Sequence, residues 1–288
     1  MNLYWHSGNW SSSEPFVMAL DDHSYWLGST VFDGARRFRG KTPDLEAHCH
    51  RLVRSAHALG MNPKQAPEDI VRLCMQGMEL LDHGGDIYIR PAMHLRGSQN
   101  IIGFDPSSVE LTVSLVGSDT PYMKPFTACF VPYRRPDADM AINDAKSASL
   151  YPHSLRAIGY AKRAGFDNAI LCDSSGNVAE FASANIFIVS EGLVKTPRLS
   201  GSFLAGITRE RVISLLKPDL DVLEVDISTD DVLSADEIFL TGNFSQIQPC
   251  VAVDGVRLGD NPLTRRISDA YGQWIEALPN VGTAVQIA

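Results

Sequence analysis

The first part of the chain alternates short apolar and polar stretches with two longer segments of helical periodicity. Apolar residues recur at every third or fourth position from Asp44 to Gly60 and again from Pro67 to Gly84, which predicts two amphipathic helices. Alternation and short apolar runs predict strands at Leu3–Trp5, Phe16–Leu20, 27–38, Ile87–Leu95 and Val109–Val116. This order of strands and helices is typical of an α+β fold.

The second part of the chain mixes shorter strands with helices. The pattern predicts strands at Ala128–Tyr133, Ala169–Asp173, Asn177–Glu180, Asn185–Val189, Leu193–Thr196, Val222–Val225 and Glu237–Leu240, and helices at Pro152–Gly165, Ile207–Leu216 and Pro262–Leu278. Between the two parts, Gly117–Pro125 contains prolines and shows little periodicity, as linkers do. We therefore predict a small N-terminal α+β domain at residues 1–118, a linker at 119–126 and a larger C-terminal domain at 127–288.

Charge and composition narrow the classes of function. The 288 residues carry 25 basic and 34 acidic side chains, a net charge of −9, which argues against nucleic acid or an anionic membrane as partner. No apolar run reaches the roughly 18 residues of a membrane span, and the first ten residues do not resemble a secretory signal. The five cysteines are scattered, so we expect reduced thiols in a cytoplasmic protein.

Three short segments contain residues suited to chemistry. Lys146 stands among Ala and Ser residues, and a partly desolvated lysine can attack a carbonyl group, but without further context these residues favour a surface loop. Gly206 precedes a predicted helix whose first turn, with Thr208, offers N–H groups to a phosphate; an ordinary helix cap is the alternative. The Gly242-Asn243 turn after a predicted strand presents N–H groups in a similar way.

Two further clusters are interpreted as structural. His48, Cys49 and His50 are adjacent on a predicted helix, where neighbouring side chains point about 100° apart and cannot converge on a metal ion. Arg134 and Arg135 are interpreted as part of a solvated loop and not as an anion site. We therefore predict no metal site.

Four motifs occur in the order found in one enzyme family. They are Lys146 itself, G-N-V-A-E-F-A-S-A-N-I-F at 176–187, A-G-I-T-R at 205–209 and A-D-E-I-F-L-T-G at 235–242. The chain resembles, over nearly its whole length, the class IV (fold type IV) pyridoxal-phosphate (PLP) enzymes, and most closely the branched-chain aminotransferases. The resemblance implies a small N-terminal domain, a larger C-terminal pseudo-barrel domain and PLP bound between them.

The resemblance also implies roles for individual residues. Lys146 would form the Schiff base with PLP and then move a proton between the substrate Cα and cofactor C4′. Glu180 would pair with the pyridine nitrogen and keep it protonated, so that the ring accepts electrons. Tyr151 would contact the 3′ oxygen. The phosphate would be bound by Arg51, Gly206, Ile207, Thr208, Gly242 and Asn243. A solvated strand end for Glu180 and a helix-surface position for Arg51 are the structural alternatives.

Two other motifs bear on the substrate. D-I-Y-I-R-P at 86–91 resembles the Y-[IV]-R-P strand of branched-chain aminotransferases, where Tyr88 and Arg90 would organise the site for an α-carboxylate. V-F-D-G-A-R at 31–36 resembles V-F-E-G-I-R, which would place Phe32 in the side-chain pocket and Arg36 nearby. The chain departs from the family at Leu27, where tyrosine is usual, and at Asn243-Phe244, where Thr-Ala is usual. Leu27 and Phe244 would therefore change the size or polarity of the pocket.

The sequence thus predicts a PLP-dependent aminotransferase that moves an amino group between an amino acid and a 2-oxo acid by a ping-pong mechanism. Branched-chain or aliphatic substrates are favoured, and the family resemblance implies a homodimer. A D-amino-acid or (R)-amine transaminase and an aminodeoxychorismate lyase are alternatives on the same fold. A cofactor-free binding protein that retains the fold is a further alternative, which the presence of both Lys146 and Glu180 disfavours.

Overall fold

The computed structural model describes residues 2–81, 83–97, 102–119, 122–217 and 219–281, and it divides into two compact units. The N-terminal unit spans Met1–Thr120, Ala145–Ser149 and Ile275–Ala288, as far as these ranges are described, and the C-terminal unit spans Pro121–Asp144 and Leu150–Trp274. Residues 120–121 of the predicted linker and residues 282–288 of the predicted C-terminal domain lie outside the described residues. The chain therefore enters the C-terminal unit, returns to the N-terminal unit for Ala145–Ser149, and leaves again.

The N-terminal unit contains an antiparallel sheet with helices packed on it. Its elements are β1 (Asn2–His6), β2 (Asn9–Ser11), α1 (His23–Leu27), β3 (Thr30–Phe32), β4 (Ala35–Arg37), α2 (Leu45–Ala58), α3 (Pro67–Leu80), β5 (Ile87–Leu95) and β6 (Val109–Gly117). The strand order is β2-β1-β6-β5-β3, and β4 pairs with β5 beside β3. The predicted helices over Asp44–Gly60 and Pro67–Gly84 are confirmed as α2 and α3.

One buried face of α2 explains why its sequence has helical periodicity. Leu45, Cys49, Leu52 and Ala56 are all buried and belong to one hydrophobic core. Ile87 and Ile89 alternate with more exposed neighbours along β5 and reach the same core. Burying a leucine or isoleucine side chain contributes about 1.5–3 kcal/mol, so this face fixes α2 and β5, from which several predicted site residues project.

The C-terminal unit contains a nine-stranded sheet that curls into a half-barrel. Its elements are β7 (Phe126–Arg134), α4 (Tyr151–Arg163), β8 (Asn168–Cys172), β9 (Val178–Phe181), β10 (Asn185–Ser190), β11 (Leu193–Pro197), α5 (Ile207–Leu216), β12 (Val222–Val225), α6 (Thr229–Leu233), β13 (Glu237–Gly242), β14 (Gln246–Val253), β15 (Val256–Arg257) and α7 (Pro262–Glu276). The strand order is β12-β11-β10-β13-β14-β7-β8-β9, with β15 beside β14. The predicted α+β fold is confirmed. No helix in the described ranges is both long and apolar enough to cross a membrane.

Some sequence predictions of secondary structure are wrong. Phe16–Leu20 is irregular and not a strand, because its backbone bonds to side chains: the Val17 carbonyl accepts from His94 Nε2 at 3.1 Å, and the Ala19 N–H donates to Asp22 Oδ2 at 2.7 Å. The predicted strand at 27–38 is replaced by the end of α1 followed by β3 and β4. The elements β2, α1, α6, β14 and β15 were not predicted.

Candidate active site

Lys146 lies on the short segment that returns to the N-terminal unit. Its backbone N–H donates to Ser55 Oγ at 3.0 Å, and its carbonyl accepts from the Phe32 N–H at 3.1 Å. The next residue, Ser147, pairs with Val31 of β3. The Lys146 Nζ atom lies 5.2 Å from the centre of the Phe32 ring. The lysine is therefore held between α2 and β3, with its amine beside an aromatic ring.

Arg51 lies one helical turn before Ser55 on α2, so the two side chains share one face of the helix. Its side chain is only 7 % exposed, which makes the helix-surface interpretation wrong. Its Nε and Nη2 atoms donate to the two carboxylate oxygens of Asp33 at 2.7 and 2.8 Å. Burial alone would raise the pKa of Asp33, but the charges of Arg51 and His48 and their hydrogen bonds hold that pKa well below its ordinary value. The pair is therefore ionised.

A cavity of about 300 Å³ lies on the sheet of the N-terminal unit. Phe32, Trp5 and Val17 are among the residues of its apolar wall. Arg90 also lines the cavity and donates from Nε to Ser114 Oγ at 3.3 Å. The Phe32 ring thus contacts the cavity and faces the Lys146 amine. The structure therefore brings Phe32 and Arg90, two of the predicted substrate residues, to one pocket.

The other predicted substrate residues have different surroundings. Leu27 ends α1 and is exposed, and Arg36 is buried in β4, where it donates to the Ser118 carbonyl at 3.0 Å. Tyr88 pairs with Arg36 across β4 and β5. None of these three is among the described residues that line the cavity. Phe244 belongs to the C-terminal unit, where it is exposed in the turn between β13 and β14.

Glu180 is buried in β9 of the C-terminal unit and is 7 % exposed, so the solvated-strand interpretation is wrong. Its carboxylate lies 2.8 Å from Nη2 of Arg135, which is 8 % exposed. The same Arg135 nitrogen donates to Ser154 Oγ on α4 at 3.1 Å, one turn after Tyr151. The interpretation of Arg135 as part of a solvated loop is therefore wrong, whereas Arg134 is exposed.

Two predicted phosphate loops meet at one edge of the C-terminal sheet. Gly206 precedes α5, and a Cβ atom at this position would overlap Asn185 Oδ1. The Asn185 amide donates to the Leu204 carbonyl at 3.0 Å, and Asn185 pairs with Thr241 across β10 and β13. The start of α5 and the Gly242-Asn243 turn therefore lie on either side of Asn185.

The same edge has buried polar atoms whose partners are missing. Thr241 Oγ1 and Asn243 Nδ2 are buried and have no hydrogen-bond partner among the described residues. A buried donor left unsatisfied costs about 1–3 kcal/mol, and the first N–H groups of α5 add a positive helix end nearby. An anion with several acceptor oxygens, such as a phosphate ester, would satisfy these groups. The residues at this edge therefore fit the phosphate of PLP.

The fold and these groupings define a class of enzyme. The amino-transferase class IV family profile matches residues 30–253, and the chain belongs to that family. This is the family of PLP-dependent aminotransferases that the motifs indicated.

Individual relatives give the same result. An aminotransferase from Brucella abortus bound to PLP is similar with a TM-score of 0.93 and 37 % identity, over 96 % of this chain and 99 % of that one. The branched-chain aminotransferase of Thermoproteus uzoniensis with norvaline has a TM-score of 0.88 and 27 % identity, over 97 % and 99 % of the two chains. The branched-chain-amino-acid aminotransferase of Pseudomonas aeruginosa is 30 % identical over 295 residues, or 93 % of this chain and 91 % of the relative.

Proposed function

We propose that this aminotransferase uses PLP to move the amino group of aliphatic, above all branched-chain, amino acids to 2-oxo acids. The observation that carries the proposal is the position of Phe32, which faces the Lys146 amine and also lines the cavity that contains Arg90. An apolar wall suits an aliphatic side chain, and a guanidinium group suits a carboxylate. The Thermoproteus uzoniensis relative with norvaline supports an aliphatic substrate.

Each unit contributes its own part of the proposed machinery. In the N-terminal unit, Lys146 would carry the proton at the substrate Cα, Arg51 would bind phosphate oxygens and Arg90 would bind the substrate carboxylate. In the C-terminal unit, Glu180 would hold the pyridine nitrogen and Tyr151 the 3′ oxygen. The remaining phosphate contacts would come from Gly206, Ile207, Thr208, Gly242 and Asn243. When bound, PLP supplies an acceptor for the electron pair released at the substrate Cα.

Substrate choice is tested by a screen of amino donors with 2-oxoglutarate as acceptor. We expect turnover of L-leucine, L-valine and L-isoleucine. Turnover confined to D-amino acids or (R)-amines would replace the proposal with the corresponding transaminase, which the unusual Leu27 and Asn243-Phe244 would then explain. Release of pyruvate from aminodeoxychorismate without amino transfer would indicate the lyase. Absence of a visible absorption band after addition of PLP would favour a cofactor-free binding protein.

We also propose that two copies of the chain associate. The N-terminal unit exposes large apolar side chains at Phe16, Leu20, Tyr25, Trp26 and Ile102, and Phe16 is 85 % exposed. The Ile102 carbonyl lies 3.2 Å from His23 Nε2, which joins this residue to α1. Several large exposed apolar side chains in one unit favour an association surface there. Sedimentation velocity is expected to give a dimer, and Tyr25→Glu should shift it toward monomer.

The five cysteines are buried as free thiols. Free thiols are typical of a reducing compartment, which supports our proposal of a cytoplasmic location. Reaction of the native protein with a thiol reagent should therefore be slow, and all five thiols should react after denaturation. Fewer than five reactive thiols in protein denatured without reductant would contradict the assignment.

A further inference from the structure

The turn between β3 and β4 contains a carboxylate to which the proposed roles assign no task. Asp33 is fully buried. Its Oδ1 atom lies 2.6 Å from His48 Nδ1 and accepts from the Gly34 N–H at 2.8 Å. With the two bonds from Arg51, four donors converge on this one side chain. Its own backbone N–H donates to the Pro91 carbonyl at 2.9 Å, which ties the turn to β5. The carboxylate is therefore fixed in position.

A carboxylate held in this way fixes the plane of the guanidinium group that it binds. Arg51 uses Nε and Nη2, which lie on one edge of the planar group, to contact both oxygens of Asp33. The guanidinium group has five N–H donors in a rigid fork. The outer N–H of Nη2 and one N–H of Nη1 lie along the adjacent Nη1–Nη2 edge, so their direction is fixed once the Nε–Nη2 edge is bound to Asp33. Asp33 therefore determines the direction in which Arg51 can bind a second anion.

The same turn also contacts the segment of the reacting lysine. The Phe32 N–H, one residue before Asp33, donates to the Lys146 carbonyl at 3.1 Å. Arg51 and Ser55 lie on one face of α2, and Ser55 accepts from the Lys146 N–H. Phe32, the last residue of β3, and Asp33, the residue that follows it, therefore contact Lys146 and Arg51 within the same unit.

We propose that Asp33, supported by His48, is a positioning residue that directs Arg51 toward the phosphate ester of PLP. The inference rests on the proposed function, in which Arg51 binds phosphate. Fold stability alone is a poor explanation for the cluster, because a buried ion pair is often no more stabilising than apolar residues of the same volume. Apolar neighbours could not fix the orientation of a phosphate-binding arginine, whereas the Asp33 carboxylate does.

The test compares the affinity of Asp33→Asn for PLP and for pyridoxal, which lacks the phosphate. Asparagine keeps the shape but presents an N–H group to one of the Arg51 donors and removes the charge. We expect the dissociation constant for PLP to rise about tenfold or more, since hydrogen bonds to charged groups are at stake, while that for pyridoxal stays within about twofold of the wild-type value. Equilibrium dialysis measures both constants, and the ³¹P resonance of bound PLP should shift.

Asp22→Asn is the matched control. Asp22 is also a buried aspartate of the N-terminal unit, and it is paired with Arg96 at 2.9 Å. We expect its removal to lower stability without changing the ratio of the two affinities. If Asp33→Asn fails to fold, the same ratio of dissociation constants for PLP and pyridoxal is measured in His48→Leu. His48→Asn is the conservative variant, because its amide restores a hydrogen-bond donor near the position of Nδ1.

The outcomes separate this inference from the proposed function. Equal loss of affinity for PLP and pyridoxal, or unchanged affinity for PLP in folded Asp33→Asn, would overturn the positioning role. If the unsubstituted chain bound pyridoxal as tightly as PLP, Arg51 would not be a phosphate ligand, and the proposed cofactor contacts themselves would fail. A selective loss for PLP supports both.

Discussion

Among the described residues, each unit contains an arginine–carboxylate pair in which both side chains are buried, and the two pairs have opposite arrangements. In the N-terminal unit, the proposed cofactor ligand is the cation Arg51, and the anion Asp33 holds it. In the C-terminal unit, the proposed ligand is the anion Glu180, and the cation Arg135 holds it. All four side chains are buried. Either member of a buried ion pair can therefore become the functional group, while the other member keeps that group charged and oriented.

The largest expected effect comes from a change that leaves both pairs intact. Lys146→Ala removes the proposed reacting amine, and we expect transamination to fall by about 10⁴-fold or more. PLP should still bind but should no longer be fixed to the protein by borohydride reduction. Lys162→Ala, at an exposed lysine paired with Asp167, is the control and should retain full activity. Fixation of PLP to another lysine in Lys146→Ala would show that the assignment is wrong.

The next largest effect is expected when either residue of the Arg135–Glu180 pair in the C-terminal unit is substituted. Glu180→Gln removes the charge that would face the pyridine nitrogen, and we expect kcat to fall by about 10²–10³-fold. Arg135→Met leaves that carboxylate in place but removes the guanidinium group beside it, so kcat should fall by only about tenfold, although removal of one member of a buried ion pair costs about 3–5 kcal/mol of stability. Arg134→Met, at the exposed neighbour, is the matched control. Equal losses for Glu180→Gln and Arg135→Met would contradict the division of roles.

A third change tests whether the proposed phosphate site at the start of α5 depends on the shape of the backbone as well as on charge. In Gly206→Ala the new Cβ overlaps the Asn185 side chain, so α5 or Asn185 must move. We expect a loss of about 1–3 kcal/mol in unfolding free energy and weaker binding of PLP. Gly272→Ala in α7 meets no atom within 4 Å and should instead add about 0.5–1 kcal/mol. Thermal melts measure the stability of the two variants, and titration measures their affinity for PLP. A Gly206→Ala variant as stable as Gly272→Ala, with the same affinity for PLP, would contradict the prediction.

The smallest expected effect is on how the unfolding free energy depends on pH through the Arg51–Asp33 pair of the N-terminal unit. The pKa of Asp33 is lowered in the folded state, so its contribution to stability is complete above the unfolded pKa of about 3.9 and is lost as the pH falls toward the folded value. The difference in unfolding free energy between wild type and Asp33→Asn should therefore be constant near neutral pH and shrink by about 1 kcal/mol near pH 3. Urea unfolding at a series of pH values measures it, with the exposed Asp139→Asn as control. A difference that grows in acid would contradict the assignment.

The fold was predictable wherever one buried face creates a clear period. α2, α3 and β5 follow such patterns, and their bounds agree closely with the predictions. The strand β14 was missed because Pro249 counts against a strand interior, yet Pro249 pairs with Phe239 of β13. The helix α6 carries a usable signal, since Ser228 and Asp231 form a capping box. Phe16–Leu20 alternates as a strand does, but its backbone bonds to the side chains of Asp22 and His94.

The candidate site was predictable through its motifs and not through its ion pairs. The motifs pointed to Arg51 and Glu180, but the sequence does not say which distant charge meets each of them. Nothing in the sequence separates the buried Arg135 from the exposed Arg134. Asp33 lies inside the V-F-D-G-A-R motif, but the sequence predicted a single strand over 27–38, so its place in the turn between β3 and β4 was visible only in the structure. Those partners are determined by tertiary packing.

The hydrogen bond between Lys146 and Ser55 joins positions 91 residues apart in the chain. Closing a loop of that length costs about 4 kcal/mol of chain entropy, whereas α2 and the β5–β6 hairpin form through nearby contacts. Contacts between distant positions form slowly for this reason, so we expect the lysine segment to dock late in folding. The rate at which PLP becomes fixed to Lys146 during refolding would then follow completion of the fold and not formation of its secondary structure.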